Sequence, residues 1–125
     1  MKSIFLIDDD LEDQEILELV LKDIDPSINC VFVNTAEEAL KILLNMTSQK
    51  PDLIFLDLNL PFMSGHELLS IIKNQDNLQD IPVIILSTSS REDDKKKSKE
   101  LGAEHYITKP NTLAILKRLL QEVGL

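Results

Sequence analysis

Short apolar segments recur along the chain at residues 4–7, 28–33, 53–56 and 83–86, with a weaker one at 105–107. Each is rich in Ile, Val, Leu or Phe and too short for a helix. Most are near-continuous rather than alternating, as in strands buried on both faces. The pattern predicts five parallel strands. The intervening stretches have helical period: Leu17, Val20, Leu21 and Ile24 form one apolar stripe, and Leu116, Leu119, Leu120 and Val123 another. Thr35 with Glu38 and Ser64 with Glu67 read as capping boxes, in which a hydroxyl satisfies an orphan N–H of the first turn. Because the segments share no signature residues, the alternation is not a repeat array. Strict β-α alternation predicts an α/β doubly wound sheet with right-handed crossovers and helices on both faces.

The fourth helix, about residues 92–101, differs from the others. It carries Arg91, Lys95, Lys96, Lys97 and Lys99, with scarcely an apolar face beyond Leu101, so it is expected to be loosely held. Its acids, Glu92, Asp93 and Asp94, come first and its lysines later, which suits the helix dipole, and Gly102 fits the position just past the helix end.

Composition narrows the class. The chain has 125 residues, 43% of them hydrophobic, which suits one domain spanning 1–125. Thirteen Lys and Arg against 22 Asp and Glu give a net charge of −9, which argues against a direct nucleic-acid partner. The acidity is local: residues 1–25 hold nine acids and two bases. A lone cysteine, Cys30, excludes an internal disulfide, fits a reducing compartment and reads as inert core. No apolar run is long enough for a membrane span or signal core, so a cytoplasmic location without membrane insertion is expected.

In an open parallel sheet, ligands sit beyond the carboxyl ends of the strands. Those ends carry Asp8-Asp9, Asp57, Ser87-Thr88 and Thr108-Lys109-Pro110. If the first and third strands are neighbours, about 4.8 Å apart, their carboxylates meet. Two such charges about 4 Å apart repel by about 4 kcal/mol at an effective dielectric of 20, and a cation relieves that cost. Oxygen ligands without His or Cys favour Mg²⁺, with Asp9, Asp57 and a carbonyl near Asn59 as ligands and Asp8 holding metal-bound water. Asp57, between Leu56 and Leu58, is the candidate nucleophile toward phosphorus; Lys109 and Ser87 would neutralise the transferring group.

These residues, taken together, resemble the receiver domains of two-component response regulators, the single-domain CheY-like proteins especially, from Ser3 to about Val123. The likeness rests on Ile7-Asp8-Asp9, Asp57-Leu58-Asn59-Leu60-Pro61, Ser64-Gly65, Leu86-Ser87, Gly102-Ala103 and Thr108-Lys109-Pro110. It implies the strand order 2-1-3-4-5. It also implies that a sensor histidine kinase or phosphotransfer protein phosphorylates Asp57, with Mg²⁺ held by Asp8, Asp9, Asp57 and the Asn59 carbonyl and the phosphate gripped by Ser87 and Lys109. Ser87 and Tyr106 would be the switch pair, and the Lys109-Pro110 bond would be cis. Ser87 stands where many members have Thr, Thr88 where many have Ala or Gly, and Lys95 and Ser98 where the fourth helix is often apolar. Asn59 and Ser89 would flank the path of hydrolytic water.

Such a domain is a phosphoacceptor rather than an enzyme. With no effector segment expected after Leu125, it would signal by contact with a downstream protein, as a monomer or weak dimer. Two alternatives are a docking module that keeps the fold without the chemistry and an aspartate-nucleophile phosphatase of the haloacid-dehalogenase type. The second usually has another Asp where this chain has Asn59. His66 and His105 lack ligand-spaced partners and read as surface or packing residues, and Asp10 as a helix cap.

Overall fold

The computed structural model describes residues 2–46 and 49–125. Strands β1 (Ser3–Ile7), β2 (Asn29–Val33), β3 (Leu53–Leu56), β4 (Val83–Ser87) and β5 (His105–Thr108) alternate with helices. These are α1 (Leu11–Ile24), α2 (Ala36–Leu44), α3 (Gly65–Lys73), α4 (Glu92–Glu100) and α5 (Leu113–Glu122). The strands pair in parallel in the order β2-β1-β3-β4-β5. The expected doubly wound topology is therefore present, with element ends within a residue or so of the sequence reading.

Side chains alternate across the sheet, so each central strand feeds two cores. Phe5, Ile7, Ile54, Leu56, Val83 and Ile85 pack with Ala39 and Leu43 of α2 and Leu68, Leu69 and Ile72 of α3. On the other face, Ile4, Leu6, Phe55, Ile84 and Leu86 pack with Leu17, Val20 and Leu21 of α1 and Leu116 and Leu120 of α5. Thr35, Ser64 and Thr112 cap α2, α3 and α5 through their hydroxyls, as the sequence pattern required for the first two.

Three expectations need revision. The β2 run is not buried on both faces: as an edge strand it leaves Asn29 and Phe32 exposed. Cys30 on that strand is half-buried rather than core, and desolvation, with the Glu18 charge nearby, raises its thiol pKa. The Lys109-Pro110 peptide is trans, since no cis bond occurs among the described residues. The trans form is the default for X-Pro by about 0.5–1 kcal/mol.

Helix α4 is as thinly anchored as its composition implies. Ser98 is its one buried residue, and no apolar side chain lies within its span. At its end Gly102 takes φ +105°, the left-handed cap conformation.

Register aligns the strand ends on one edge. Ile7 faces Leu56 and Ser87 faces Thr108, so the residues that follow them emerge together. The turn after β3 closes tightly on α3: the Gly65 N–H donates to the Leu58 carbonyl at 2.9 Å. A Cβ on Gly65 would lie 2.3 Å from the Asp57 carbonyl oxygen and 2.7 Å from Leu58 Cα. Both are backbone atoms that cannot yield without moving Asp57. Gly65→Ala is therefore expected to cost about 1–3 kcal/mol, as overpacking does. Urea denaturation measures this, and wild-type stability in the variant would contradict the close approach.

Candidate functional site

The acidic edge is built from the ends of β1 and β3. The Asp8 N–H continues the ladder to the Val33 carbonyl, and the Asp57 N–H to the Ile7 carbonyl, at 3.1 and 3.0 Å. Each carboxylate then folds back on its own loop. Asp8 Oδ1 accepts from the Asp10 N–H at 2.9 Å, and Asp57 Oδ1 from the Asn59 N–H at 3.3 Å. These local turns are the kind Asp favours. Asp10 caps α1 by accepting from the N–H groups of Glu12 and Asp13. One turn in, Gln14 is 1% exposed, and its Nε2 reaches the carbonyls of Leu6 (3.2 Å), Asp8 (2.8 Å) and Val33 (3.1 Å). That amide clamps the ends of β1 and β2 against α1.

Asp8 and Asp57 are buried and Asp9 is exposed, yet one oxygen from each lies within 4.8 Å of the others. The Lys109 ammonium, from the end of β5, stands 2.9 Å from Asp8 Oδ2, 2.7 Å from Asp13 Oδ2 and 3.5 Å from Asp57 Oδ2. Burial opposes the lysine's charge, but the bonds to Asp13 and Asp8 and the Asp57 charge outweigh it and hold its pKa above the ordinary value. Burial pushes the Asp8 carboxyl up to about 6, against the Asp10 N–H and Lys109, with the Asp57 charge adding to the rise. One ammonium is too little positive charge for this pocket. An all-oxygen set of three carboxylates with no His or Cys suits a hard divalent cation, and Asn59, whose N–H already binds Asp57, brings its backbone to the same carboxylate.

Ser87 is fully buried at the end of β4, and its Oγ accepts from the Ser89 N–H at 3.2 Å. Ser89 joins several groups: its carbonyl accepts from the Tyr106 hydroxyl at 2.8 Å, and its own hydroxyl donates to Asp94 Oδ2 at 2.5 Å. Lower on α4, Ser98 Oγ donates to the Asp94 carbonyl at 2.7 Å and meets His66 Nε2 at 2.9 Å. Since the hydroxyl proton is used, His66 Nε2 is assigned as the donor in that pair. Burial lowers the His66 pKa, with Lys97 adding to the effect. The packing role expected of His66 is thus a polar bridge between α3 and α4.

A model of the response regulator receiver domain matches residues 4–121. The chain belongs to the response regulator receiver family. Members are the phospho-accepting signalling domains of two-component systems. Response regulator Rcp1 of Synechocystis sp. is 35% identical, the match covering 98% of this chain and 86% of that protein. The phosphate regulon transcriptional regulatory protein PhoB of Pseudomonas aeruginosa is 34% identical, but this chain spans 53% of its length. Among solved structures, the phosphorylated cyanobacterial phytochrome response regulator RcpA superposes with a TM-score of 0.88 at 36% identity, covering 98% of this chain and 90% of that one. The Mn²⁺-bound form of Rcp1 gives 0.87 at 35% identity, covering 98% and 91%. None of the described helices is long and apolar enough to cross a membrane.

The receiver fold brings Asp8, Asp9, Asp57 and Lys109 to one pocket, with Asn59 on its rim and Ser87 and Tyr106 joined through Ser89. Two polar residues of α1 went unassigned in the sequence. Asp13 holds Lys109, and Gln14 clamps the strand ends. A signal existed for both: Asp13 lies four residues before Leu17, and Gln14 three before Leu17 and seven before Leu21. Polar residues on an apolar stripe are candidates for buried work.

The raised Asp8 pKa has a definite sign. Between the unfolded value of 3.8 and about 6 the folded state binds the extra proton, so this carboxyl's contribution to stability falls as pH rises through that window. Asp8→Asn removes the dependence. Without divalent metal, its stability relative to wild type is expected to rise by about 1–3 kcal/mol between about pH 4 and about pH 7.5. Urea melts at both pH values test this; a relative stability that falls would mean the Lys109 pairing outweighs burial.

Proposed function

We propose that residues 1–125 act as a Mg²⁺-dependent switch in which Asp57 accepts a phosphoryl group from the phosphohistidine of a sensor kinase or phosphotransfer protein. An Asp57 oxygen attacks phosphorus, the P–N bond breaks, and the imidazole leaves with its electron pair and takes up a proton. The observation that carries this reading is the Lys109 ammonium 3.5 Å from Asp57 Oδ2 beside three carboxylates that converge without a neutralising partner of sufficient charge.

Asp8, Asp9, Asp57 and the Asn59 carbonyl would hold the cation, which supplies charge neutralisation for the phosphoryl oxygens. The Mn²⁺-bound structure of Rcp1 supports a divalent ion at such a site. Lys109 and the Ser87 hydroxyl would take phosphoryl oxygens. Drawing Ser87 toward the phosphate would disturb its bond from the Ser89 N–H, and so the carbonyl that holds Tyr106. The new bonds would then shift the population between two packings of the β4–α4 segment. The exposed Lys96, Lys97 and Lys99 make α4 a surface for an acidic downstream protein. We place the domain in the cytoplasm as a monomer or weak dimer.

Acetyl phosphate with Mg²⁺, followed by intact mass, tests the chemistry. One phosphoryl adduct is expected on wild type, absent from Asp57→Asn and from chelated samples. No adduct on wild type would leave a docking module, and sustained turnover of phosphate esters would indicate a phosphatase.

A further inference from the structure

We propose that Asp13 is a positioning residue that receives the Lys109 ammonium when Asp8 turns to a divalent cation, so that the lysine stays in the site instead of competing for it. The inference rests on the receiver reading of the pocket and goes beyond it in assigning a role to a residue of α1.

Both Asp8 oxygens are committed in this structure. Oδ1 accepts from the Asp10 N–H at 2.9 Å and Oδ2 from Lys109 at 2.9 Å. A cation held through Oδ2 must share that oxygen with a group of its own sign or displace it, and one held through Oδ1 stays beside that group. Charges of +2 and +1 repel twice as strongly as two unit charges at the same separation. Were Asp8 and Asp57 the lysine's sole partners, it would either block the cation or be expelled, and then be missing when a phosphoryl oxygen needs it.

Asp13 resolves that conflict by its position. It makes the shortest contact with the ammonium, 2.7 Å, but is not one of the three residues whose oxygens converge for a cation. It can hold Lys109 without taking part in coordination. Its backbone is fixed from both sides: its N–H is capped by Asp10 at 3.2 Å, and the adjacent Gln14 is bonded to three strand-end carbonyls. The ammonium has three donors. One goes to Asp13 and one to Asp8, while the 3.5 Å separation from Asp57 Oδ2 is beyond a good hydrogen bond. Release from Asp8 leaves two donors for phosphoryl oxygens while Asp13 keeps the nitrogen in place.

The test is calorimetric titration of Mg²⁺ into the unphosphorylated chain. Asp13→Asn is expected to weaken Mg²⁺ about fivefold, as loss of a part-exposed ion pair predicts. Lys109→Gln should tighten it. In the Lys109→Gln background Asp13→Asn should change affinity by less than about twofold, because Asp13 acts through the lysine. Asp13→Glu should restore near-wild-type affinity, and Asp13→Ser, which suits a helix first turn, should repeat the Asn result. An equal loss with and without Lys109 would make Asp13 a diffuse source of charge and overturn the proposal, as would no loss at all. Wild type that binds no Mg²⁺ would overturn the receiver reading as well, whereas wild type that binds Mg²⁺ and forms the Asp57 adduct confines any failure to Asp13.

Discussion

The organising interaction is one ammonium shared among carboxylates from separate parts of the chain. Lys109 reaches Asp8 at the end of β1, Asp13 on α1 and Asp57 at the end of β3. Two of these partners, Asp8 and Asp13, lie about a hundred positions away in sequence, and the ammonium sits where three strands end. Negative charge nonetheless remains in excess, and burial raises the Asp8 pKa, with the Asp57 charge adding to the rise. Such a pocket is stable enough to form and still favours an incoming cation. The fold sustains this cost because the two apolar cores on either side of the sheet are complete without the site. Acidic side chains occupy loop positions just past the strands, where exclusion from the core is already met.

The same logic explains why the site was largely legible in the sequence. Parallel strands place their carboxyl ends on one edge, so reading the strands also located Asp8, Asp9, Asp57, Ser87 and Lys109 together. What escaped was set by side-chain reach and not by strand periodicity. Its spacing to Leu17 puts Asp13 on the apolar stripe of α1, but nothing local shows that the group it holds is a lysine about a hundred residues away. Gln14 lies on the same stripe, but its partners, three strand-end carbonyls, are set by how the strands pair. The exposure of β2 was hidden for a different reason: an edge strand and a central strand can share composition, and strand order is a tertiary property.

Helix α4 shows how a polar sequence can still be seated. Where a stripe of Leu or Ile would bury area, this helix uses Ser98, hydrogen-bonded to His66 and to its own turn, and Asp94, which receives the Ser89 hydroxyl. Area burial is nondirectional and tolerates small displacements; these bonds do not, because each depends on a distance near 2.5–2.9 Å. The helix is thus located by a few discrete contacts with little apolar adhesion behind them.

That choice sets the scale of any switching. A neutral hydrogen bond contributes about 0.5–1.5 kcal/mol net, and one to a charged group about 1.5–3. Ser89 to Asp94 belongs to the second kind, and Ser98 to His66 and Tyr106 to Ser89 belong to the first. Two charge-assisted bonds to a phosphoryl group, as proposed for Ser87 and Lys109, would match that sum in magnitude. The proposed chemistry at Asp57 would then suffice to rearrange the seat of α4 without disturbing either core, provided the effect travels through Ser89. That residue touches Ser87 by its N–H, Tyr106 by its carbonyl and Asp94 by its hydroxyl. A single displacement of the Ser89 backbone would alter all three contacts at once, as a change between two discrete packings requires.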